Sequence, residues 1–514
     1  MSPLPSVPGL YLSSLFSPKH RTRSFYYITG VDEPDMDVTY DVAKDRLILW
    51  IPPPRSPNDA LFIGDVPSIK DCLFRYDIDD ARYSSGLPSF LHTCTSTIFT
   101  LHSSGLPPML STSLPVMYYY HYHHLPAHPL RLSSTPSSPP NVPFVPPDSV
   151  PAYNTTALQP AMDAARLIKT PYEIAMIRRA CAVSSRAHRA VAAGLRHMYS
   201  EANIEATFRA TCTNLGAHTQ AYSIIAGAGE NAARLHYNTN QAPLLHKQLV
   251  VLDAGCEWHN YASDITRTLP LPSGHWLSPE ARGVHDLVAA MQASAIAMLR
   301  PGAHWIDLVE KTYDVGLPGL HRLGLLRGSL SEIMTTARGV ITAFFPHGLG
   351  HPVGLEVHDL PASWLKSARA GARVSLKTCV PPEVLPTDSA VLAHCNKTSR
   401  KNSGPSDGSS DSYDSDDDDD DDDDLFDYYA WMRLREGMVV TIEPGIYFNR
   451  EYIDAFMLAR RELAAYIDID ALERFWSVGG CRIEDVVLIT ADGHEVLSTA
   501  PKGRELWGII RGGE

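Results

Sequence analysis

The amino-acid sequence predicts a smaller α/β domain followed by a larger α+β domain. Short β-branched and aromatic runs alternate with helical segments before residue 100. After residue 170, pairs of amphipathic helices alternate with pairs of apolar strands. Between them, residues 92–160 are rich in Pro, Ser and His, a composition typical of a linker or surface loop. We therefore place the domains at residues 1–160 and 161–514.

The first domain is predicted from short apolar runs that read as strands. Each run is bounded by Gly, Pro or charged residues, which are typical of turns. A further short strand, in the Pro/Ser-rich connection, is assigned to the same domain. The five predicted strands are Phe25–Gly30, Asp37–Val42, Arg46–Ile51, Ala60–Gly64 and Pro115–Tyr119.

The second domain opens with a strong helix signal at Thr170-Pro-Tyr-Glu173. This is a capping box with proline at the first helical position, and the apolar residues after it recur at helical spacing. A second helix follows around Ser200–Leu215, and two more lie within Val284–Met298 and Gly302–Leu317. Residues 250–269 are expected to form two strands joined by a turn near Glu257–Asn260.

An insertion at about residues 362–430 interrupts the second domain. It contains a polar segment and the run Asp416–Asp424, which supplies nine negative charges to a formal net charge of −14. Such a composition cannot bury apolar surface, and we expect disorder. Calcium binding by the aspartates would need preformed geometry, so a solvated segment is favoured. A translated intron is the other interpretation.

Composition excludes several classes of protein. The rest of the chain is only mildly acidic and has no basic stripe, which argues against a nucleic-acid partner. No run approaches the ~18 apolar residues of a membrane span, and the first residues lack a signal-peptide pattern. Eight scattered cysteines without a CxxC pair indicate free thiols. We expect a cytoplasmic protein.

Candidate chemistry is concentrated in the stretch from His347 to Asp359, where three histidines are interleaved with glycines and apolar residues. Imidazole binds metals and serves in acid–base or oxyanion roles, whereas a histidine cluster alone is also typical of a surface loop. Carboxylates elsewhere decide between these interpretations. Each lies in or after an apolar, β-branched run: Asp253, Asp264, Glu443 and Glu484.

A carboxylate in a buried strand is costly unless it is paired or bound to a cation. Four such carboxylates beside a histidine therefore predict a shared cation site. The donors are mostly oxygen, which suits Mn²⁺, Co²⁺, Fe²⁺ or Zn²⁺ and argues against copper or a thiolate site. Four negative charges match two divalent ions rather than one.

These five segments, in this order, resemble the pita-bread metallopeptidases of the aminopeptidase P and prolidase branch. The resemblance covers roughly Arg166 to the C-terminus and, more weakly, the first domain. It implies two divalent metal ions, Mn²⁺ above others. By resemblance, Asp253 binds one ion, Asp264 and Glu484 bridge both, and His351 and Glu443 complete the second.

The resemblance also implies supporting roles in catalysis and substrate binding. His347 and His358 match histidines that contact substrate and stabilise the oxyanion, and Glu443 matches a proton shuttle. Arg482 would orient substrate or ligand carboxylates, although it could pair with a surface acid instead. His236 and Tyr447 would line the pocket, although both could be core residues.

The family cleaves bonds that precede proline, whose ring fixes φ and removes the amide hydrogen. The resemblance favours a fungal-type Xaa-Pro aminopeptidase acting on peptides with proline in the second position, as a homodimer. A prolidase that splits Xaa-Pro dipeptides is the alternative. A metal-free pita-bread binding module, or a creatinase-type hydrolase, fits less well because the five ligands are all present.

Overall fold

The computed structural model describes residues 10–13, 23–101, 152–271, 278–360 and 432–512. These residues form two compact units that divide between Ala164 and Ala165. Two regions named above lie outside the described residues: the predicted strand Pro115–Tyr119 and the acidic insertion.

The first unit is built on a six-stranded mixed sheet in the order β4-β3-β2-β1-β5-β6. Neighbours β1 and β2, and β2 and β3, are antiparallel; the remaining pairs are parallel. The strands are β1 (Leu10–Ser13), β2 (Asp37–Asp41), β3 (Arg46–Ile51), β4 (Asp80–Tyr83), β5 (Ile98–Thr100) and β6 (Tyr153–Asn154). The predicted strands at β2 and β3 are confirmed.

Helices follow the sheet strands of the first unit. They are α1 (Arg23–Thr29), α2 (Pro57–Ile63), α3 (Ile69–Arg75) and α4 (Leu87–His92), and α5 (Leu158–Leu167) comes next along the chain.

Two predicted strands of the first unit were wrong because they are helices. Phe25–Gly30 lies largely in α1, where the Thr29 hydroxyl donates to the Phe25 carbonyl one turn earlier. Ala60–Gly64 lies largely in α2, which begins at Pro57 after a Ser56 cap that accepts from the Asp59 amide. Short apolar runs do not separate helix from strand, and at α2 the Ser56 cap favours the helix.

The second unit begins with two long helices that pack together. α6 (Pro171–Gly194) has the predicted capping box, in which the Thr170 side chain and Glu173 satisfy each other's backbone amides. The other predicted helices are also confirmed, with boundaries that differ by a few residues. The remaining helices are α7 (Glu201–Asn214), α8 (Pro279–Ile296), α9 (Trp305–Arg322), α10 (Leu330–Thr336), α11 (Arg450–Ala459), α12 (Arg461–Ala464), α13 (Ile469–Leu472) and α14 (Gly503–Ile510).

The strands of the second unit form small antiparallel sheets in the orders β11-β8-β7, β12-β15-β16, β13-β14 and β10-β9. They are β7 (Ile225–Ala228), β8 (Leu249–Asp253), β9 (Glu257–Trp258), β10 (Tyr261–Ala262), β11 (Thr266–Pro270), β12 (Val439–Ile442), β13 (Gly445–Tyr447), β14 (Gly480–Arg482), β15 (Asp485–Ile489) and β16 (His494–Val496).

The hairpin between β8 and β11 is packed tightly against α6. Its tip is the two-residue loop His259–Asn260, whose residues both have positive φ, as a type I′ turn requires. The turn therefore lies where the sequence predicted it. At the base, a Cβ on Gly255 would overlap the Ser263 carbonyl, so only glycine fits there. Behind the hairpin, the Ser184 hydroxyl of α6 contacts Ser263 Oγ at 2.9 Å.

Two general expectations can be compared with the described residues. None of their helices combines the length and apolar character needed to cross a membrane. The six cysteines among them are unpaired, and five of these are buried.

Candidate metal centre and active site

Two aspartates reach the site from the first sheet of the second unit. Asp253 is the last residue of β8, opposite Thr266 of β11, and Asp264 lies just before β11. The Tyr222 hydroxyl lies 2.5 Å from an oxygen of each aspartate. A phenol has one proton to donate, so it donates to only one of the two carboxylates at a time.

Two glutamates reach the same place from the second pair of strands. Glu443 follows β12, and Glu484 lies between β14 and β15. The Thr266 hydroxyl donates to Glu484 Oε2 over 2.7 Å. Glu484 Oε1 is buried and has no hydrogen-bond donor among the described residues. A buried carboxylate oxygen without a donor is the kind of atom that a cation stabilises.

His351 completes the cluster. Its Nε2 lies 3.4 Å from Asp264 Oδ2 and 3.4 Å from Glu443 Oε1. Its Nδ1 donates to the Pro352 carbonyl over 3.1 Å, which leaves the Nε2 lone pair facing the carboxylates when the ring is neutral. One ligand atom from each of Asp264, His351 and Glu484 lies within 4.8 Å of the others. This is a geometry that fits a metal ion.

Burial makes the carboxylates resist ionisation in the metal-free protein. It raises the pKa of Glu443 to about 7, and burial plus three neighbouring carboxylates raises the pKa of Glu484 well above its usual range. Burial raises the pKa of Asp253 as well. Of the four, only Asp264 has a lowered pKa: burial raises it, but His351, Tyr222 and His358 together lower it by more.

His351 shows the complementary effect. Burial opposes its positive charge, but Asp264 and Glu443 raise its pKa to about 9. Without a metal, the cluster is therefore stabilised by protons on His351 and on the buried carboxyl groups. Two divalent cations would supply the same positive charge at neutral pH, so the donor set fits the predicted ions.

A hydrogen-bonded chain leads from the metal cluster to His347. Arg482 Nη2 donates to Asp253 Oδ2 over 2.6 Å, and Arg482 Nη1 donates to the Tyr447 hydroxyl over 2.8 Å. The Tyr447 hydroxyl lies 2.9 Å from His347 Nε2. The Asp253 contact shows that Arg482 pairs with a carboxylate of the cluster rather than with a surface acid.

His347 is held neutral within this series of hydrogen bonds. Burial and the charge of Arg482 lower its pKa to about 3. Its Nδ1 donates to the Gly348 carbonyl over 2.8 Å, so Nε2 accepts the proton of Tyr447. Both ring nitrogens are thus engaged, and His347 presents the face and edge of a neutral ring.

His358 and His236 are the exposed members of the site. The ring of His358 lies 4.1 Å from the ring of His351, centroid to centroid. The charge of His351 lowers the pKa of His358 to about 3, and its nitrogens have no hydrogen-bond partner among the described residues. His236 is close enough for its charge to lower the pKa of both His347 and His358.

Sequence reasoning missed three hydroxyl residues of the site. Thr266 follows Asp264 by two positions, and Thr441 precedes Glu443 by two, donating to its Oε1 over 3.2 Å. Spacing of two places side chains on one face of a strand, so this signal was available. Tyr222 gave no comparable signal, because it lies in a loop and its partners are 31 and 42 positions away.

Comparison with protein families matches most of both units. Residues 175–379 and 416–491 match the model of metallopeptidase family M24. Residues 15–99 match the model of the aminopeptidase P N-terminal domain.

Similar whole chains are found among curated proteins and solved structures. A probable Xaa-Pro aminopeptidase of Colletotrichum graminicola is 42% identical over 524 residues, covering 99% of this chain and 88% of that protein. An aminopeptidase P variant from Escherichia coli, solved in complex with substrate, superimposes with a TM-score of 0.67 at 22% identity, covering 98% and 94% of the two chains. The zinc-substituted E. coli enzyme in complex with product gives 0.66 at 22%, covering 99% and 95%. This likeness confirms the predicted fold class.

Proposed function

Because the chain belongs to metallopeptidase family M24, we propose that it is a metal-dependent Xaa-Pro aminopeptidase. It would remove the N-terminal residue from peptides with proline in the second position. The related Colletotrichum protein, which is named a probable Xaa-Pro aminopeptidase, supports this substrate class.

The observation that carries the proposal is the buried carboxylate cluster, in which one Glu484 oxygen has no hydrogen-bond donor among the residues that the structure describes. We assign Asp253 to one divalent ion, Asp264 and Glu484 to both, and His351 and Glu443 to the other. Mn²⁺ is the favoured metal because the donors are mostly oxygen. When bound, such ions lower the pKa of water to ~7 and polarise a carbonyl.

The protein's own groups would complete the reaction. Glu443 would hold and pass a proton, because a carboxylate within the cluster, 3.4 Å from His351 Nε2, can act as a general acid or base. The ring nitrogens of His358 have no hydrogen-bond partner within the described part of the chain and the side chain is exposed, which suits an oxyanion donor. His347 has both nitrogens engaged, so we assign it to substrate contact rather than to hydrogen-bond donation.

Arg482, Tyr447 and His236 would shape the pocket around the substrate. Arg482 fixes one oxygen of Asp253 and the Tyr447 hydroxyl at the same time, which orients a metal ligand and the His347 ring together. His236 is exposed beside the other histidines, where it can contact a bound peptide.

The first experiment compares hydrolysis of Arg-Pro-Pro and Gly-Pro by purified protein after EDTA treatment and after adding Mn²⁺. Cleavage of the tripeptide alone supports an aminopeptidase, and cleavage of the dipeptide alone supports the prolidase alternative. No metal-dependent cleavage of either contradicts the proposal and favours a binding module. The variant Asp314→Asn controls for general effects of mutation and purification. It alters an exposed ion pair with Arg338 on the protein surface.

Three further assignments accompany this proposal. They are a homodimeric assembly, a cytoplasmic location and a domain boundary near residue 160. Size-exclusion chromatography with light scattering, fractionation of cells and limited proteolysis, respectively, test them.

A further inference from the structure

A buried ion cluster lies outside the groups assigned so far. Asp359 directly follows His358 and is 1% exposed. Its carboxylate accepts from Arg166 Nη2 over 2.8 Å and from Lys169 Nζ over 2.9 Å, and both cations are also buried. The two cations precede α6, some 190 positions earlier in the chain.

The Asp359 residue also closes the loop that carries the active-site histidines. Its backbone amide donates to the Pro352 carbonyl over 3.0 Å. The same carbonyl accepts from His351 Nδ1 over 3.1 Å. Asp359 Oδ1 accepts from the Glu356 amide as well. One residue therefore joins both ends of the loop from His351 to Asp359.

The same loop also contacts the backbone near Asp264 and strand β12, which precedes Glu443. The Gly354 carbonyl accepts from the Ala262 amide over 2.8 Å, two residues before Asp264, and the Val353 amide donates to Val439 of β12. A Cβ on Gly354 would overlap the Asp359 carboxylate, so that carboxylate is packed directly against the loop's backbone.

We propose that Asp359, clamped by Arg166 and Lys169, is a positioning residue that sets the places of His351 and His358. The inference rests on the proposed function, because it gives those histidines their roles. It goes beyond that function, because it gives a role to three residues that are assigned neither to the metal ions nor to the substrate.

The energetics favour a positioning role over a purely stabilising one. Burying an ion cluster costs desolvation free energy that its attraction often only balances, so such a cluster is weak evidence for stability. Two cations face one carboxylate, and the half-exposed Glu356, 3.4 Å from Arg166, supplies the second negative charge. What the cluster does achieve is a fixed geometry for the backbone between two histidines.

The test uses the full-length variant Asp359→Asn, which keeps the shape and removes the charge. Calorimetric titration of the metal-free protein with Mn²⁺ should show affinity weakened about 10-fold, through His351. The kcat for Arg-Pro-Pro should fall about 10- to 100-fold, with KM changed far less. Adding D359N to H358A should lower kcat by less than D359N does alone, because both act through His358.

Two controls separate positioning from loss of stability. Leu320→Ala destabilises the buried face of α9, and it should reduce thermal stability without weakening Mn²⁺ binding. Lys169→Met is the milder variant in case D359N fails to fold; it leaves a neutral Arg166–Asp359 pair and should shift Mn²⁺ affinity and kcat in the same direction.

Clear outcomes overturn the inference. It fails if the folded variant matches wild type in Mn²⁺ affinity and kcat, or if its losses equal those of Leu320→Ala at similar stability. If D359N does not fold, wild-type behaviour of Lys169→Met overturns it. A wild-type protein that neither binds Mn²⁺ nor cleaves Arg-Pro-Pro overturns the proposed function instead, which is a distinct result.

Discussion

The two halves of the site differ in the charge that their surroundings favour. In the carboxylate half (Asp253, Asp264, Glu443, Glu484 with His351), burial raises the pKa of three carboxyl groups, and the cluster requires protons or cations. In the histidine half (His236, His347 and His358), the pKa of two imidazoles is lowered to about 3.

The two halves therefore require different things from outside the chain. A buried carboxylate cluster is stable near neutral pH only with added positive charge, whereas a neutral imidazole needs none. Metal removal should therefore disturb the carboxylate half and leave the histidine half in place. The following substitutions test whether the two halves behave independently.

The largest effect is expected from Glu484→Gln in the carboxylate half. The amide keeps the size but lowers the negative charge that faces the cations, and metal catalysis contributes several kcal/mol. We expect kcat/KM for Arg-Pro-Pro to fall about 10³-fold or more, with weaker Mn²⁺ binding by calorimetry. If this variant bound Mn²⁺ with wild-type affinity, Glu484 would not be a metal ligand.

His358→Ala should affect turnover but not metal binding. Loss of one oxyanion donor typically lowers kcat about 10²- to 10³-fold. Mn²⁺ affinity should stay within about 2-fold of wild type, because His358 contacts no metal in the proposed assignment. A strong loss of Mn²⁺ affinity would show that the two halves are not separate. Asp314→Asn is the control and should behave as wild type does.

The pH dependence of the metal-free protein should reveal Glu443. Its folded pKa of about 7 lies above the usual value of 4.5, so the folded state holds a proton that the unfolded chain has released. Its contribution to stability is therefore full at low pH and lost as pH rises from 4.5 to 7.

Thermal unfolding of wild type and Glu443→Gln checks this linkage. The melting temperature of metal-free wild type, relative to the variant, should fall between pH 4.5 and 7, and saturating Mn²⁺ should remove that trend. A constant difference across this range would contradict the raised pKa.

The smallest effect is expected from Tyr447→Phe, which removes one hydroxyl between the halves. A net hydrogen bond contributes about 1 kcal/mol, so kcat/KM should fall about 5- to 10-fold. Arg482 still contacts Asp253, and Mn²⁺ affinity should change little. Steady-state kinetics combined with calorimetry would show whether the coupling is stronger than this.

The sequence predicted the ligand candidates because their surroundings are unusual. Asp253, Asp264, Glu443 and Glu484 follow or interrupt apolar strands, where a carboxylate is costly. Their roles stay predictions, although the structure places Asp264, Glu443 and Glu484 near His351 and links Asp253 to Asp264 through the Tyr222 hydroxyl. The long helices were also predictable, since capping and helical spacing agree along many residues.

Other features depend on contacts between distant positions. The Arg166–Asp359 pair joins residues 193 positions apart, and no local pattern announces it. Shifts in pKa likewise arise from neighbours in space. The short helices α1 and α2 were mistaken for strands because their apolar residues are too few to show a period.

The origin of the ligands in two distant stretches has one mechanical consequence. Thr266 and Glu484 meet at the site although they are 218 positions apart. A cation held by both stretches would join the chain as a cross-link does, closing a long loop that the unfolded chain would otherwise leave open. The centre that performs the chemistry would thereby also act as the tether that keeps the two strand pairs together.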